Sequence, residues 1–143
     1  MTVARTSRAE AAARRAARDA AIAGVLETLP SPSPSTVFSV HVSTSELTFV
    51  GRMNVDTLQP DFAQLDVVYE PRDVILELRS FKLFVLAFRN ELFSYERLTN
   101  TVFEMLWAKL EPRSLSVNLA CAPRGGTSTV VNRAERREGG TTA

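Results

Sequence analysis

Two stretches of this chain alternate apolar and polar side chains residue by residue, and a third carries an apolar stripe at helical spacing between them. Ala63, Leu65, Val67 and Tyr69 alternate with Gln64 and Asp66, and Leu115, Val117, Leu119 and Cys121 repeat the pattern later in the chain. A period of two turns one face of a strand toward a core. Between these stretches, Leu98, Val102, Met105, Leu106 and Leu110 recur at the spacing that gives a helix one buried side. A chain holding both patterns buries them by laying helices on one face of an antiparallel sheet, so the expected class is α+β. With 143 residues, 45% of them apolar, there is material for one domain with a core and too little for two.

The remaining elements follow from local signals. Phe38, Val40 and Val42 alternate with Ser39, His41 and Ser43, which predicts a strand with His41 on its polar side, and Leu47 to Val50 predicts a second short one. Gly51 to Pro60 reads as a loop. Pro71-Arg72-Asp73 predicts a turn after which Val74 to Leu78 returns as the hairpin partner of the Ala63–Tyr69 strand. Ser80 is a candidate cap for a short helix through Asn90, with Leu83/Ala87 and Phe84/Phe88 paired on one side. Ser94 is the candidate cap of the longer helix, which ends before Pro112. Gly125-Gly126 permits a tight turn into a last strand, Thr127 to Val131.

Charge and composition exclude several function classes. Charged residues make up 23% and the net charge is +1, which offers no electrostatic reason to bind nucleic acid or an anionic membrane. No stretch approaches the roughly 20 apolar residues that span a bilayer. One cysteine, Cys121, and one histidine, His41, rule out an internal disulfide and a Cys- or His-based zinc centre, and fit a reducing cytoplasm. Cys121 falls on the core face of its strand and reads as a small buried hydrophobe. Residues 1–24 are rich in Ala and Arg. Glu10 and Asp19 and the lack of an apolar run argue against a secretory signal and disfavour a transit peptide, so this segment reads as a poorly ordered helix that packs little. Pro30 to Ser35 alternates Pro and Ser as an extended connector, and residues 132–143 read as a disordered polar tail around the 25–131 domain.

Three motifs carry the functional signal. Gln59-Pro60-Asp61-Phe62 is followed by Glu77-Leu78-Arg79-Ser80-Phe81-Lys82-Leu83-Phe84, with Phe88-Arg89-Asn90 behind it, and then by Pro123-Arg124-Gly125-Gly126. Val25-Leu26-Glu27-Thr28-Leu29-Pro30 adds an opening segment. In this order and spacing the set resembles the 7-cyano-7-deazaguanine reductase (QueF) family over about Val25 to Val131. The resemblance implies the tunnelling fold: a four-stranded antiparallel sheet with two helices on one face, subunits joined into an oligomeric barrel, and ligand sites between subunits. It also implies a nitrile reductase that uses NADPH and a nucleophilic cysteine a few residues before Gln-Pro-Asp-Phe. A thiolate suits that role because it is accessible near neutral pH and strongly nucleophilic. Here the segment reads Gly51-Arg52-Met53-Asn54-Val55-Asp56. Counting back from Gln59 puts Asn54 at the nucleophile position, and counting forward from Glu46 puts Gly51 there. Neither side chain can attack a nitrile.

The resemblance assigns roles to the remaining positions. Asp61 matches the family's proton-donating aspartate, against which stands a plain role holding the loop. Glu96 matches the acid that anchors the purine-like ring by accepting its N1–H and exocyclic amine, against which stands a first-turn acid favoured by the helix dipole. Glu77 matches a substrate contact, and Ser80 lies in the same motif. Tyr95 replaces the family's histidine and offers a ring to stack and a hydroxyl. Arg79, Lys82 and Arg124 match NADPH-contacting positions and alternatively form a solvated basic face. Beyond NADPH by resemblance, no cofactor is implied, and no metal.

Three functions compete. The first is an enzyme of 7-deazaguanine metabolism, feeding queuosine or archaeosine in tRNA or modified DNA, that acts on 7-cyano-7-deazaguanine (preQ0) or a derivative without a thiol adduct, with Asp61, Asn54 and Tyr95 as its catalytic candidates. The second is a deazaguanine- or pterin-binding module or partner subunit with no catalysis. The third is a nitrile reductase in which Cys121 replaces the missing thiol.

Overall fold

The computed structural model describes residues 7–51, 56, 57 and 59–137. Strands β2 (Val40–Val50), β3 (Pro60–Glu70), β5 (Ser114–Arg124) and β6 (Thr127–Arg136) form an antiparallel sheet in the order β2-β3-β5-β6. Helices α2 (Leu78–Leu86) and α3 (Tyr95–Leu110) pack on one face of it. Helix α1 (Arg8–Ala23) precedes them, and a separate two-stranded ribbon pairs β1 (Thr28–Pro30) with β4 (Val74–Leu76). The class is α+β, as the patterning predicts.

The alternation builds the core. Ala63, Leu65, Val67 and Tyr69 of β3 and Leu115, Val117, Leu119 and Cys121 of β5 are all buried. Their register sets Leu65 opposite Leu119 and Val67 opposite Val117, so the central strand pair presents one continuous apolar face. Above it lie Leu98, Val102, Phe103, Leu106 and Leu110 of α3 and Phe81, Phe84 and Val85 of α2. Each such side chain stabilises the fold by roughly 1.5–3 kcal/mol on burial. Phe84, Phe88 and Phe93 continue the core toward α3, with ring centroids 5.2 and 5.5 Å apart in successive edge contacts.

Several local expectations are corrected. The two short strands over Phe38–Val42 and Leu47–Val50 are one strand, β2, starting at Val40 and interrupted by a bulge. Thr44 faces Leu65 and Leu47 faces Ala63, so Ser45 and Glu46 together oppose Gln64. The extra residue inverts the alternation and lets Val40 and Val42 before it, and Leu47 and Phe49 after it, all face the core. Val74–Leu76 is not the hairpin partner of β3. Both edges of β3 are taken by β2 and β5, so β4 pairs with Thr28–Pro30 instead, and only the Leu76 N–H reaches back, donating to the buried Tyr69 hydroxyl at 2.9 Å.

Ser94 caps α3 as expected, accepting from the Arg97 N–H at 3.3 Å. The cap of α2 is Glu77 rather than Ser80. The Ser80 N–H donates to the Glu77 carboxylate at 2.8 Å, and the buried Ser80 hydroxyl accepts from the Glu27 N–H at 2.9 Å. The last strand runs five residues past Val131, to Arg136, with Asn118 opposite Asn132 and Ser114 opposite Arg136, so Asn132 to Arg136 is strand where composition suggests a tail. Its polar alternation hides it, because β6 is an edge strand. Arg133 covers the Phe103 ring at 4.1 Å and Arg137 the Trp107 ring at 4.4 Å, which ties this edge to α3. The Ala/Arg-rich segment forms a helix opened by a Ser7/Glu10 capping box, and Ile22 near its end is buried in the core.

Candidate functional site

The β3 register turns Asp61 to the same side as Ala63 and Leu65, so this carboxylate starts the strand facing the core and is only 5% exposed. Its partner arrives from the other strand of the sheet's central pair, at the same end. Gly125 (φ 57°) and Gly126 (φ 78°) form the two-residue turn between β5 and β6, and Arg124 stands just before them. Arg124 Nε donates to Asp61 Oδ1 at 2.6 Å, and Nη2 donates to the Pro60 carbonyl at 2.9 Å. On the far side of Asp61 lies Gly51. A Cβ on Gly51 would stand 2.0 Å from Asp61 Oδ2 and 3.3 Å from its Cγ, so the carboxylate fills the room a side chain at 51 would need.

The start of α3 completes the cluster. Behind the Ser94 cap, Tyr95 packs edge-on against Phe49 at 5.8 Å. Burial, and next the Asp61 carboxylate, push the Tyr95 hydroxyl above its ordinary range, with smaller contributions from Cys121 and Glu96 and opposition from Arg124. Burial, then Asp61 and Glu96, push the Cys121 thiol up to about 11. Asp61, Tyr95, Glu96, Cys121 and Arg124 therefore gather at one end of the sheet, with Glu96 exposed in the first turn of α3. The arrangement offers a buried carboxylate held by an arginine, a phenol held protonated, and an open carboxylate at a helix start. It can accept N–H donors and move protons, and burial and the two neighbouring carboxylates disfavour the thiolate of Cys121.

Glu77, Ser80, Arg79 and Lys82 form a second group at the start of α2. Glu77 and Ser80 are engaged in the cap, while Arg79 and Lys82 are exposed. This group adjoins the Tyr69 end of β3 through Leu76. Lys82 lies beside Ser43, Thr44 and Glu46 of β2, and among the described residues no hydrogen bond or ion pair links this group to Asp61, Tyr95 or Glu96. Asn54 lies outside the described residues. Among those described, no three His, Cys, Asp or Glu side chains converge as metal ligands, and no helix is long and apolar enough to cross a membrane.

Sequence reasoning singles out Asp61, Tyr95 and Glu96 as candidates but not their contacts with Gly51, Cys121 and Arg124. One signal was available. If Ala63 pairs with Cys121, as the two alternating faces allow, Asp61 falls beside Pro123-Arg124.

Comparison with known proteins agrees with this architecture. A family model described as QueF-like protein matches residues 60–139. The NADPH-dependent 7-cyano-7-deazaguanine reductase of Thermomicrobium roseum is 40% identical over 106 residues, 74% of this chain and 80% of the relative. The enzyme of the same description from Syntrophus aciditrophicus is 38% identical over 122 residues, 85% of each chain. Among solved structures, the apo form of the archaeosine synthase QueF-Like superposes with a TM-score of 0.62 at 23% identity, over 73% of this chain and 94% of that one. That likeness carries the tunnelling fold.

Proposed function

The chain belongs to the QueF-like protein family, and from that premise we propose that it binds a 7-deazaguanine, 7-cyano-7-deazaguanine or a derivative, and alters the 7-substituent without forming a thiol adduct. The observation that carries this reading is the contact between Gly51 and Asp61. Where the resemblance puts a nucleophile, on the count from Glu46, there is no side chain, and a carboxylate occupies its room. The single thiol, Cys121, is held protonated. Asp61 is then the proton-transferring group, kept in place by Arg124, and acts on water or an amine adding at the substituent. Glu96 accepts the two parallel N–H groups of the guanine-like edge, and Tyr95 supplies a flanking ring and hydroxyl. The product feeds 7-deazaguanine modification of tRNA, as in queuosine and archaeosine, or of DNA.

Glu77 joins this site from a second subunit, with the buried Ser80 behind it as the donor that orients its carboxylate, a reading supported by the absence of any described bond between Glu77 and the Asp61 group within one subunit. The assembly is a homo-oligomer with its sites between subunits, working in the cytoplasm. For NADPH, Arg79 and Lys82 are exposed cations on the first turns of α2 that suit a phosphate, but Arg124 is committed to Asp61 and Pro60. The cation set is therefore incomplete for the dinucleotide.

The α2 cap favours a second reading in part, because Glu77 and Ser80 would be kept for folding even in a binding subunit with no catalysis. The test is titration calorimetry of the full chain against 7-cyano-, 7-carboxy- and 7-aminomethyl-7-deazaguanine, guanine and a pterin, repeated with Glu96→Ala. Binding of a deazaguanine that is lost with Glu96→Ala is expected. No binding at all removes the ligand reading, and binding indifferent to Glu96 removes the site assignment. Turnover of the bound ligand that stops with Asp61→Asn separates the enzyme from the binding module.

A further inference from the structure

Helix α1 precedes the residues matched by the family model, yet its second half reaches the segment from which the candidate site hangs. The contact is Arg18. Its guanidinium carbon stands 4.1 Å from the centre of the Phe93 ring. Its Nη1 donates to the Leu92 carbonyl at 3.3 Å and lies 3.9 Å from Glu91 Oε2, and its Nε donates to Asp19 Oδ1 at 3.1 Å. For a charged side chain on a helix this one is well covered, at 17% exposed.

The same three residues, 91–93, clamp the end of β2. The Val50 N–H donates to the Glu91 carbonyl at 2.9 Å, and the Phe93 N–H donates to the Val50 carbonyl at 2.9 Å. Gly51, directly after Val50, abuts Asp61. Ser94, directly after Phe93, caps the helix that starts with Tyr95 and Glu96. One guanidinium thus holds the short stretch that joins the Asp61 side of the site to the Glu96 side. Arginine suits the task because its plane lies on an aromatic face while its edge donates to carbonyl and carboxylate oxygens. A lysine point charge meets these demands less completely.

We propose that Arg18 is a positioning residue of the 7-deazaguanine site: acting through Glu91–Phe93, it sets the spacing between Gly51–Asp61 and Tyr95–Glu96. The proposal rests on the reading of Asp61 and Glu96 given above. It makes α1 part of the site's framework, although α1 contributes no group to the ligand.

The test compares full-length wild type with Arg18→Met, which keeps an apolar stem over Phe93, and with Arg18→Lys. Amide hydrogen exchange is read at Val50 and Phe93, with amides inside β3 and β5 as internal controls, alongside calorimetric affinity for 7-cyano-7-deazaguanine. Arg18→Met is expected to speed exchange at Val50 and Phe93 and to weaken affinity, each by about ten-fold, the scale of one partly desolvated cation–π contact and one hydrogen bond. The controls stay unchanged and Arg18→Lys recovers part of both effects. Unchanged exchange at Val50 and Phe93 overturns the proposal, as does faster exchange with wild-type affinity. A general rise that includes the controls also overturns it, because that is global destabilisation. If wild type binds no deazaguanine, the ligand premise has failed, and the exchange arm reports separately whether Arg18 holds the segment.

Discussion

Replacing Gly51 with alanine puts a methyl carbon where Asp61 already is. The added Cβ stands 2.0 Å from Oδ2, against about 3.5 Å for unbonded heavy atoms in ordinary contact, so one group must move by more than an ångström. The backbone of Gly51 lies outside the left-handed region, so the cost comes from this contact and not from its own dihedral angles. The Asp61 carboxylate is nearly fully buried and held by Arg124 at 2.6 Å, so it cannot swing away freely. Overpacking a site of this kind costs about 1–3 kcal/mol. Giving up the bond to Arg124 adds about 1 kcal/mol, below the roughly 1.5–3 kcal/mol of a bond to a fully buried charge, because the Arg124 side chain is 41% exposed and water replaces part of what is lost. The sum, about 2–4 kcal/mol, corresponds to a fall in Tm of about 6–15 °C for a domain of this size. Thermal and urea unfolding of Gly51→Ala measure it, and the same substitution is then made on Asp61→Ala. With the carboxylate gone the methyl group has room, and the cost drops below about 1 kcal/mol, a coupling of the size expected for residues in contact. A Gly51→Ala protein within about 0.5 kcal/mol of wild type, or an equal cost in both backgrounds, would refute the contact and the site built on it.

Two further outcomes follow from shifted groups. The Glu70 carboxylate is held below its ordinary range of 4.5, first by the Ser114 hydroxyl and then by Arg136. A lowered folded value stabilises above pH 4.5, and that stability drains as pH falls through the folded value. Urea midpoints between pH 6 and pH 3 should therefore drop more steeply for wild type than for Glu70→Gln, and parallel curves would contradict the pairing. Cys121, with its thiol pushed to about 11 against an ordinary 9.0, carries about 100-fold less thiolate at pH 8 than an unperturbed cysteine. Iodoacetamide should label it about 100-fold more slowly in the native protein than in urea at that pH, and native labelling at the unfolded rate would restore Cys121 as a candidate nucleophile.

What the sequence discloses is what depends on near neighbours. The faces of β3 and β5 and the stripe of α3 are legible because period-two and helical patterns need no knowledge of the partner, and the Ser94 cap is legible because it acts within four residues. The pairing of β4 is not legible, because it turns on both edges of β3 being occupied by strands from elsewhere in the chain. Ser80 looks like a cap by residue type, but the helix starts two residues earlier and Glu77 caps it through the Ser80 N–H. In the site, Asp61, Tyr95 and Glu96 announce themselves by motif and resemblance. The packing of Asp61 against Gly51 depends on a register set beyond a bulge, and Arg18 meets Leu92 across 74 positions, so neither contact leaves a local trace.

The irregularity between Thr44 and Leu47 constrains how this strand can lengthen or shorten. Dropping Ser45 or Glu46 alone would remove the bulge and leave an unbroken ladder, with Leu47 still opposite Ala63 and Phe49 still the ring that Tyr95 leans on. Dropping both would put Leu47 and Phe49 out of phase with Val40 and Val42 and turn one of the two pairs out to solvent. Loss of a single residue is thus the change this point tolerates, and a relative two residues shorter must have rebuilt the wall behind its Tyr95 equivalent.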